Sequence, residues 1–200
     1  MILGYYNKSV ILTYIGAASA VLGMVLSFSG ALKLAVLCLI VCGVADLFDG
    51  MIARRCKRTE AEKEFGIQID SLTDMVSFAV FPVVLSVAMG NTAWYHILIY
   101  IIYVLAAITR LGYFNVSTST EAATEFYTGL PVTFASLIAV SAYIIGSILS
   151  ITQIILPVCL FVTALLFVLK IKIAKPRGIA YLLLGLLAIG LAVAVFFIGG

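Results

Sequence analysis

The chain has two hundred residues, 64% hydrophobic and only 10% charged, with a mean hydropathy of +1.24, which excludes an ordinary soluble domain and describes a helical membrane protein. The net charge of +3 is small, and there is no basic face on a soluble module that would bind nucleic acid. The expected fold class is all-α: a polytopic membrane helix bundle of about six to eight transmembrane helices, one domain over 1–200 with its core at 8–172 and one or more extra spans at 178–200.

Residues 1–9 read as a short amphiphilic lead-in with Tyr5, Tyr6, Asn7 and Lys8. A first span is predicted from about Val10 to Phe28, since a helix needs roughly 20 apolar residues to cross a bilayer. The AASA at 17–20 resembles a signal-peptide cleavage site, but the apolar run continues past it, so a retained helix is expected. Ser29-Gly30 makes a turn, and a second span runs from about Ala31 into Asp46–Arg54. Arg55 to about Phe65 reads as a charged loop, and a third span follows from near Ile67 to Met89.

Gly90-Asn91-Thr92 turns the chain into a fourth span, Trp94 to about Leu111. A polar loop with Glu121 and Glu125 reaches Tyr127. The fifth span opens at Gly129-Leu130-Pro131 and ends near Leu149, and the sixth stops at Lys170. After the Lys170, Lys172, Lys175, Arg177 cluster, a last apolar run fills Gly178 to Gly200, either as one span or as a hairpin broken at Gly185 or Gly190. Cys38, Cys42, Cys56 and Cys159 form no CxxC pair and indicate neither disulfides nor zinc. His96 beside Trp94 and Tyr95 reads as an interfacial anchor.

With a cytoplasmic N-terminus, eleven of the twelve Lys and Arg fall on the cytoplasmic side, Lys33 being the exception, and all nine acids join them. The expected location is therefore the cell membrane, with the working face toward the cytoplasm.

That face carries the most informative stretch. Asp46 and Asp49 lie at i, i+3 and Asp70 and Asp74 at i, i+4, so each pair shares one helix face on either side of the charged connection. Four converging carboxylates repel unless cations hold them, and hard divalent ions such as Mg²⁺, Ca²⁺ or Mn²⁺ favour all-oxygen sites. Gly50, Ala53 and Gly66 leave room for a ligand or a second helix close to the backbone. Arg54 is the right partner for a phosphate oxygen. The competing reading, helix caps and salt bridges at a membrane surface, has few nearby buried cations to support it.

The pattern D-x2-D-G-x2-A-R followed by G-x3-D-x3-D resembles the signature of the CDP-alcohol phosphotransferases, with Asp46, Asp49, Gly50, Ala53, Arg54, Gly66, Asp70 and Asp74 at its fixed positions. Eleven residues, rather than the family's eight, separate Arg54 from Gly66. The resemblance implies a site with Mg²⁺ or Mn²⁺, two ions in all, held by Asp46, Asp49, Asp70 and Asp74, with Asp74 also the general base. It implies a CDP-lipid bound along Asp46, Gly50, Ala53, Arg54 and Gly66, and CMP as leaving group.

MVSFAVFP after Asp74, TRLGYFNV at 109–116 and YTGLPVTFAS at 127–136 resemble the membrane-embedded phosphatidylserine synthases of that family. The departure is Gly112-Tyr113, where Ala-Arg is usual. This implies L-serine as acceptor and phosphatidylserine as product, with Arg110 the candidate to hold the serine carboxylate unless it snorkels to headgroups. The implied partners are CDP-lipid, L-serine, surrounding membrane lipids and a second copy in a homodimer. Rival readings are glycerol 3-phosphate or inositol phosphate as acceptor, an intramembrane prenyltransferase, and a cation transporter, whose acids would lie nearer mid-membrane.

Overall fold

Two apolar runs joined by a tight turn make the first hairpin: α1 (Ser9–Phe28) and α2 (Leu32–Arg55), with Gly30 at a positive φ of 81° between them. In this computed structural model residues 3–7, 9–120, 126–174, 176 and 178–198 are described, without the side chains of 9, 54, 55 and 118–120. Glu121, Glu125, Lys175 and Arg177 therefore lie outside the described residues.

The charged connection is shorter than its composition suggests. α3 starts at Glu60 and runs to Asp74, so only Cys56 to Thr59 are non-helical where a loop to Phe65 was expected. The reason is a capping box. Thr59 accepts from the Glu62 backbone N–H at 3.3 Å, and the Glu62 carboxylate accepts from the Thr59 N–H at 2.7 Å. A helix outside the apolar layer needs no apolar stripe if its first turn is satisfied this way. Phe65 meets the rings of Tyr5 and Tyr6, and Asn7 donates to the Lys57 carbonyl, so the lead-in lies against this connection.

α3 passes through a π-helical stretch, Met75–Val80, into α4 (Phe81–Ala88). Pro82 explains part of this: it has no N–H for the Phe78 carbonyl four residues back. The buried Tyr103 hydroxyl donates to that carbonyl from α5 (Trp94–Thr120). At the far end Asn91, Ser86 and Tyr100 close a buried ring of hydrogen bonds of 2.8–3.1 Å, fixing the turn between α4 and α5. α5 outlasts the expected end at Leu111 by nine residues, because its exit from the apolar layer does not end its hydrogen bonding.

β1 (Phe126–Thr128) leads into α6 (Phe134–Leu149) and α7 (Thr152–Val168), and β2 (Lys172–Ala174) returns antiparallel to β1 with Tyr127 opposite Ile173. This clasp was not foreseen. Gly129 sits at φ 80°, and a Cβ there would stand 2.9 Å from the Phe167 carbonyl, so the crossing needs glycine on both counts. α8 (Ile179–Phe197) is unbroken; Gly185 and Gly190 do not make a hairpin.

Among the described residues five helical segments are long and apolar enough to cross a membrane: α1, α2, the α3–α4 rod, α5 and α8. α6 and α7, with 16 and 17 residues, are shorter apolar helices. The protein is an all-α polytopic membrane bundle. Its core centres on Leu39, Phe78, Phe81, Tyr103, Leu160 and Phe167, all buried, with alanines such as Ala35, Ala79 and Ala139 at the crossings. Small residues allow close approach where lipid supplies no hydrophobic drive. Gly43 on α2 is one such case: a Cβ would lie 2.6 Å from the Ser136 hydroxyl of α6.

Candidate active site

The capped start of α3 sets its register against the end of α2, and that register brings the two acidic pairs face to face. Carboxylate oxygens of Asp46, Asp49 and Asp70 all lie within 4.8 Å of one another. Asp74, one turn deeper on α3, is buried and in contact with the Asp46 carboxyl, as Asp70 is with Asp49. Two like charges at this separation repel by about 3–4 kcal/mol at an effective dielectric near 20. Among the described residues no Lys or Arg forms an ion pair with any of the four; the one ion pair there is Lys63–Glu60 on the exposed side of α3. A hard all-oxygen donor set that no described Lys or Arg side chain pairs with fits a divalent metal.

Sequence reasoning missed Thr13. Its hydroxyl, on α1, donates to Asp49 Oδ2 at 3.0 Å in a buried contact. The bond holds one carboxylate oxygen and leaves the other for a ligand. In the sequence Thr13 is one of several small polar residues in an apolar run, with Ser19 and Ser27, and nothing singles it out.

The aspartates line a cavity of about 280 Å³ together with Gly50, Arg110, Phe114, Tyr127 and Tyr181. Ala53 and Gly66 lie on the same helices but off this cavity, and the Arg54 side chain is outside the described residues. A Cβ on Gly66 would lie 3.5 Å from the Arg58 guanidinium, so a loop arginine covers that glycine.

Arg110 is 5% exposed, donates from Nε to the Leu130 carbonyl at 3.0 Å, and lies 5.5 Å from the Phe114 ring centre. It faces the aspartates across the cavity rather than reaching to lipid headgroups. Nearby, Asn115 and Ser71 exchange hydrogen bonds of 2.9 and 3.1 Å, tying α5 to the residue that follows Asp70. The chemistry such a cavity suits is displacement at a metal-bound diphosphate, with a carboxylate to accept a proton and a guanidinium to hold an anionic acceptor.

Comparison with known proteins matches residues 6–169 to the family described as CDP-alcohol phosphatidyltransferase. The archaetidylserine synthase of Methanothermobacter thermautotrophicus is 33% identical over 137 residues, 68% of this chain and 57% of that protein. CDP-diacylglycerol–serine O-phosphatidyltransferases of Saccharomyces cerevisiae and Bacillus subtilis are 32% and 34% identical over 105 and 94 residues, 49% and 46% of this chain. The matches span 37% and 50% of those two proteins, so the chain covers about half the length of the curated relatives it matches.

Proposed function

The chain belongs to the CDP-alcohol phosphatidyltransferase family, and on that premise we propose that it transfers the phosphatidyl-type group of a CDP-lipid to the hydroxyl of L-serine, releasing CMP. The observation that carries the reading is the single cavity in which four aspartates face a buried arginine. The relatives, named as archaetidylserine synthase and as CDP-diacylglycerol–serine O-phosphatidyltransferases, support the acceptor.

Asp46, Asp49 and Asp70 would hold the divalent metal, Mg²⁺ or Mn²⁺, with Asp74 beside a second ion. Bound there, such ions would neutralise the diphosphate and offset the charge that develops on the attacking serine oxygen and on the leaving bridging oxygen. Asp74 takes the proton of the serine hydroxyl as that oxygen bonds to the β-phosphorus. The bond from that phosphorus to the bridging oxygen breaks, and CMP departs with the electron pair. Arg110, with Nε committed to Leu130, keeps its other nitrogens for the serine carboxylate. Gly50 lets the nucleotide lie against α2, and the family resemblance adds Ala53, Arg54 and Gly66 as further CDP-lipid contacts.

The distribution of Lys and Arg supports a cytoplasmic mouth in the cell membrane. One domain over 1–200 with its core at 8–172, and a homodimer, complete the reading; the homodimer rests on family resemblance. Light scattering of the purified protein, corrected for detergent, checks it. The decisive assay is CMP release from a CDP-lipid with Mg²⁺ or Mn²⁺, comparing L-serine with glycerol 3-phosphate and inositol phosphate. Serine alone should support release, and release that requires a phosphorylated acceptor would overturn the acceptor.

A further inference from the structure

The aspartate cavity does not end at the carboxylates. A narrower crevice of about 60 Å³ adjoins it, and the two share Asp46, Leu47, Thr133, Phe134 and Leu184 as lining. The residues that line the crevice alone all lie deeper in the bundle. On α2 they run back from Asp46 to Ile40, on α6 forward from Phe134 to Val140, and on α8 forward from Leu184 to Ala188. Six residues of α2 and four of α8 correspond to about 9 and 6 Å of helix. Ile40, Val44, Leu137, Val140 and Ala188 are apolar, and the Ser136 hydroxyl that also lines it is spent on the Thr133 carbonyl at 2.7 Å. An apolar slot that starts at a diphosphate site and descends toward mid-membrane is complementary to a hydrocarbon chain attached to that diphosphate.

One wall of this slot is unlike the others. α8 lies beyond residues 6–169, the part matched to the family. Tyr181, Leu184 and Ala188 fall at i, i+3 and i+7, one stripe along the helix, and that stripe faces first the cavity and then the crevice. The opposite side, including Leu183, Leu186 and Leu187, is exposed to where lipid would lie. Few of its residues are buried, chiefly Ala188 and Val195, so α8 leans on α2 and α6 without being locked into the core.

We propose that the crevice holds the first part of one hydrocarbon chain of the CDP-lipid, and that α8, through Leu184 and Ala188, is the wall that selects which chains fit. The inference rests on the proposed reaction for the identity of the headgroup. It makes chain selectivity a property of the C-terminal helix rather than of the family-matched segment. Ala188 matters most because its small side chain keeps the deep end of the slot open.

The experiment uses the full chain in nanodiscs with Mn²⁺ and a CDP-lipid carrying a diazirine a few carbons from the glycerol. Irradiation should label the peptide containing Leu184 and Ala188. Excess unlabelled CDP-lipid should abolish that label, and excess phosphatidylcholine should not. Label confined to other helices, or label on α8 that phosphatidylcholine competes equally, overturns the proposal. As a second measurement, Ala188→Phe should lower kcat/KM for a long-chain CDP-lipid relative to a short-chain one by about tenfold or more, the range over which apolar pockets discriminate by size. Leu183→Phe, on the exposed side of the same helix, should leave that ratio within twofold or so. An unchanged ratio in Ala188→Phe counts against the wall. Competed labelling of α8 without CMP release from any acceptor would sink the reaction while keeping the lipid slot; CMP release with uncompeted label would do the reverse.

Discussion

At the scale of single residues, the four aspartates were legible because their spacing is a chemical constraint: two pairs on two helix faces, each one turn apart. Asp46→Asn and Asp70→Asn keep shape and lose charge, so CMP release should fall below about 1% of wild type, several kcal/mol of lost stabilisation. Unchanged gel-filtration behaviour shows that folding survived, and substantial remaining turnover would remove these residues from the metal assignment. Thr13 was illegible, since its partner Asp49 is 36 positions away and a threonine in an apolar span reads as filler. Thr13→Val should raise the Mn²⁺ concentration needed for half-maximal turnover by about 10–100-fold, the usual consequence of losing a bond to a metal-ligating carboxylate. A metal titration with an unshifted midpoint would make the contact merely structural. Arg110 was visible as a charge in an apolar helix, but only the structure separates a cavity arginine from a snorkelling one. Arg110→Ala should raise the serine KM roughly 10–100-fold by removing a charge-assisted bond, with CDP-lipid affinity little changed; an unaffected serine KM refutes the clamp.

At the scale of elements, apolar runs located the spans well and polar runs misled. The stretch after Arg55 was read as loop because its residues are charged, yet Thr59 and Glu62 form a capping box that starts α3 six residues before Phe65's neighbour Gly66. The β1–β2 clasp could not be read at all, because three-residue strands carry no usable periodicity and pair across two intervening helices. The π-helical stretch behind Asp74 has a cause that can be tested. Pro82 withholds an N–H from the Phe78 carbonyl, and the Tyr103 hydroxyl replaces it. Tyr103→Phe leaves that buried carbonyl without its donor and should cost about 1–3 kcal/mol, seen as a lower Tm in detergent. In a Pro82→Ala background the backbone regains an N–H, so the same substitution should cost less. Equal losses in the two backgrounds would show that the hydroxyl does not stand in for the missing amide.

At the scale of the whole molecule, the polar ends of the bundle differ in chemistry. The aspartate cavity, the capped start of α3 and the β1–β2 clasp lie at one end, while the Asn91–Ser86–Tyr100 ring and Lys33 mark the other. The irregular backbone from Gly129 to Thr133 is tolerated at membrane depth because it lines the cavity and because Gly129 and Leu130 donate to Ile171 and Leu166. A charge asymmetry of eleven basic residues against one predicts which end faces the cytoplasm. Cys56, in the connection between α2 and α3, is a native reporter for the aspartate end, and Lys33→Cys, at the start of α2, reports on the opposite end. With a membrane-impermeant maleimide, the wild-type protein should label at Cys56 in inside-out vesicles and stay unlabelled in intact cells, whereas the new thiol at position 33 should label in intact cells. Cys38, Cys42 and Cys159 lie within the helices and serve as the background. Labelling of Cys56 from outside would invert the molecule, and a serine-using site would then face away from the cytoplasm.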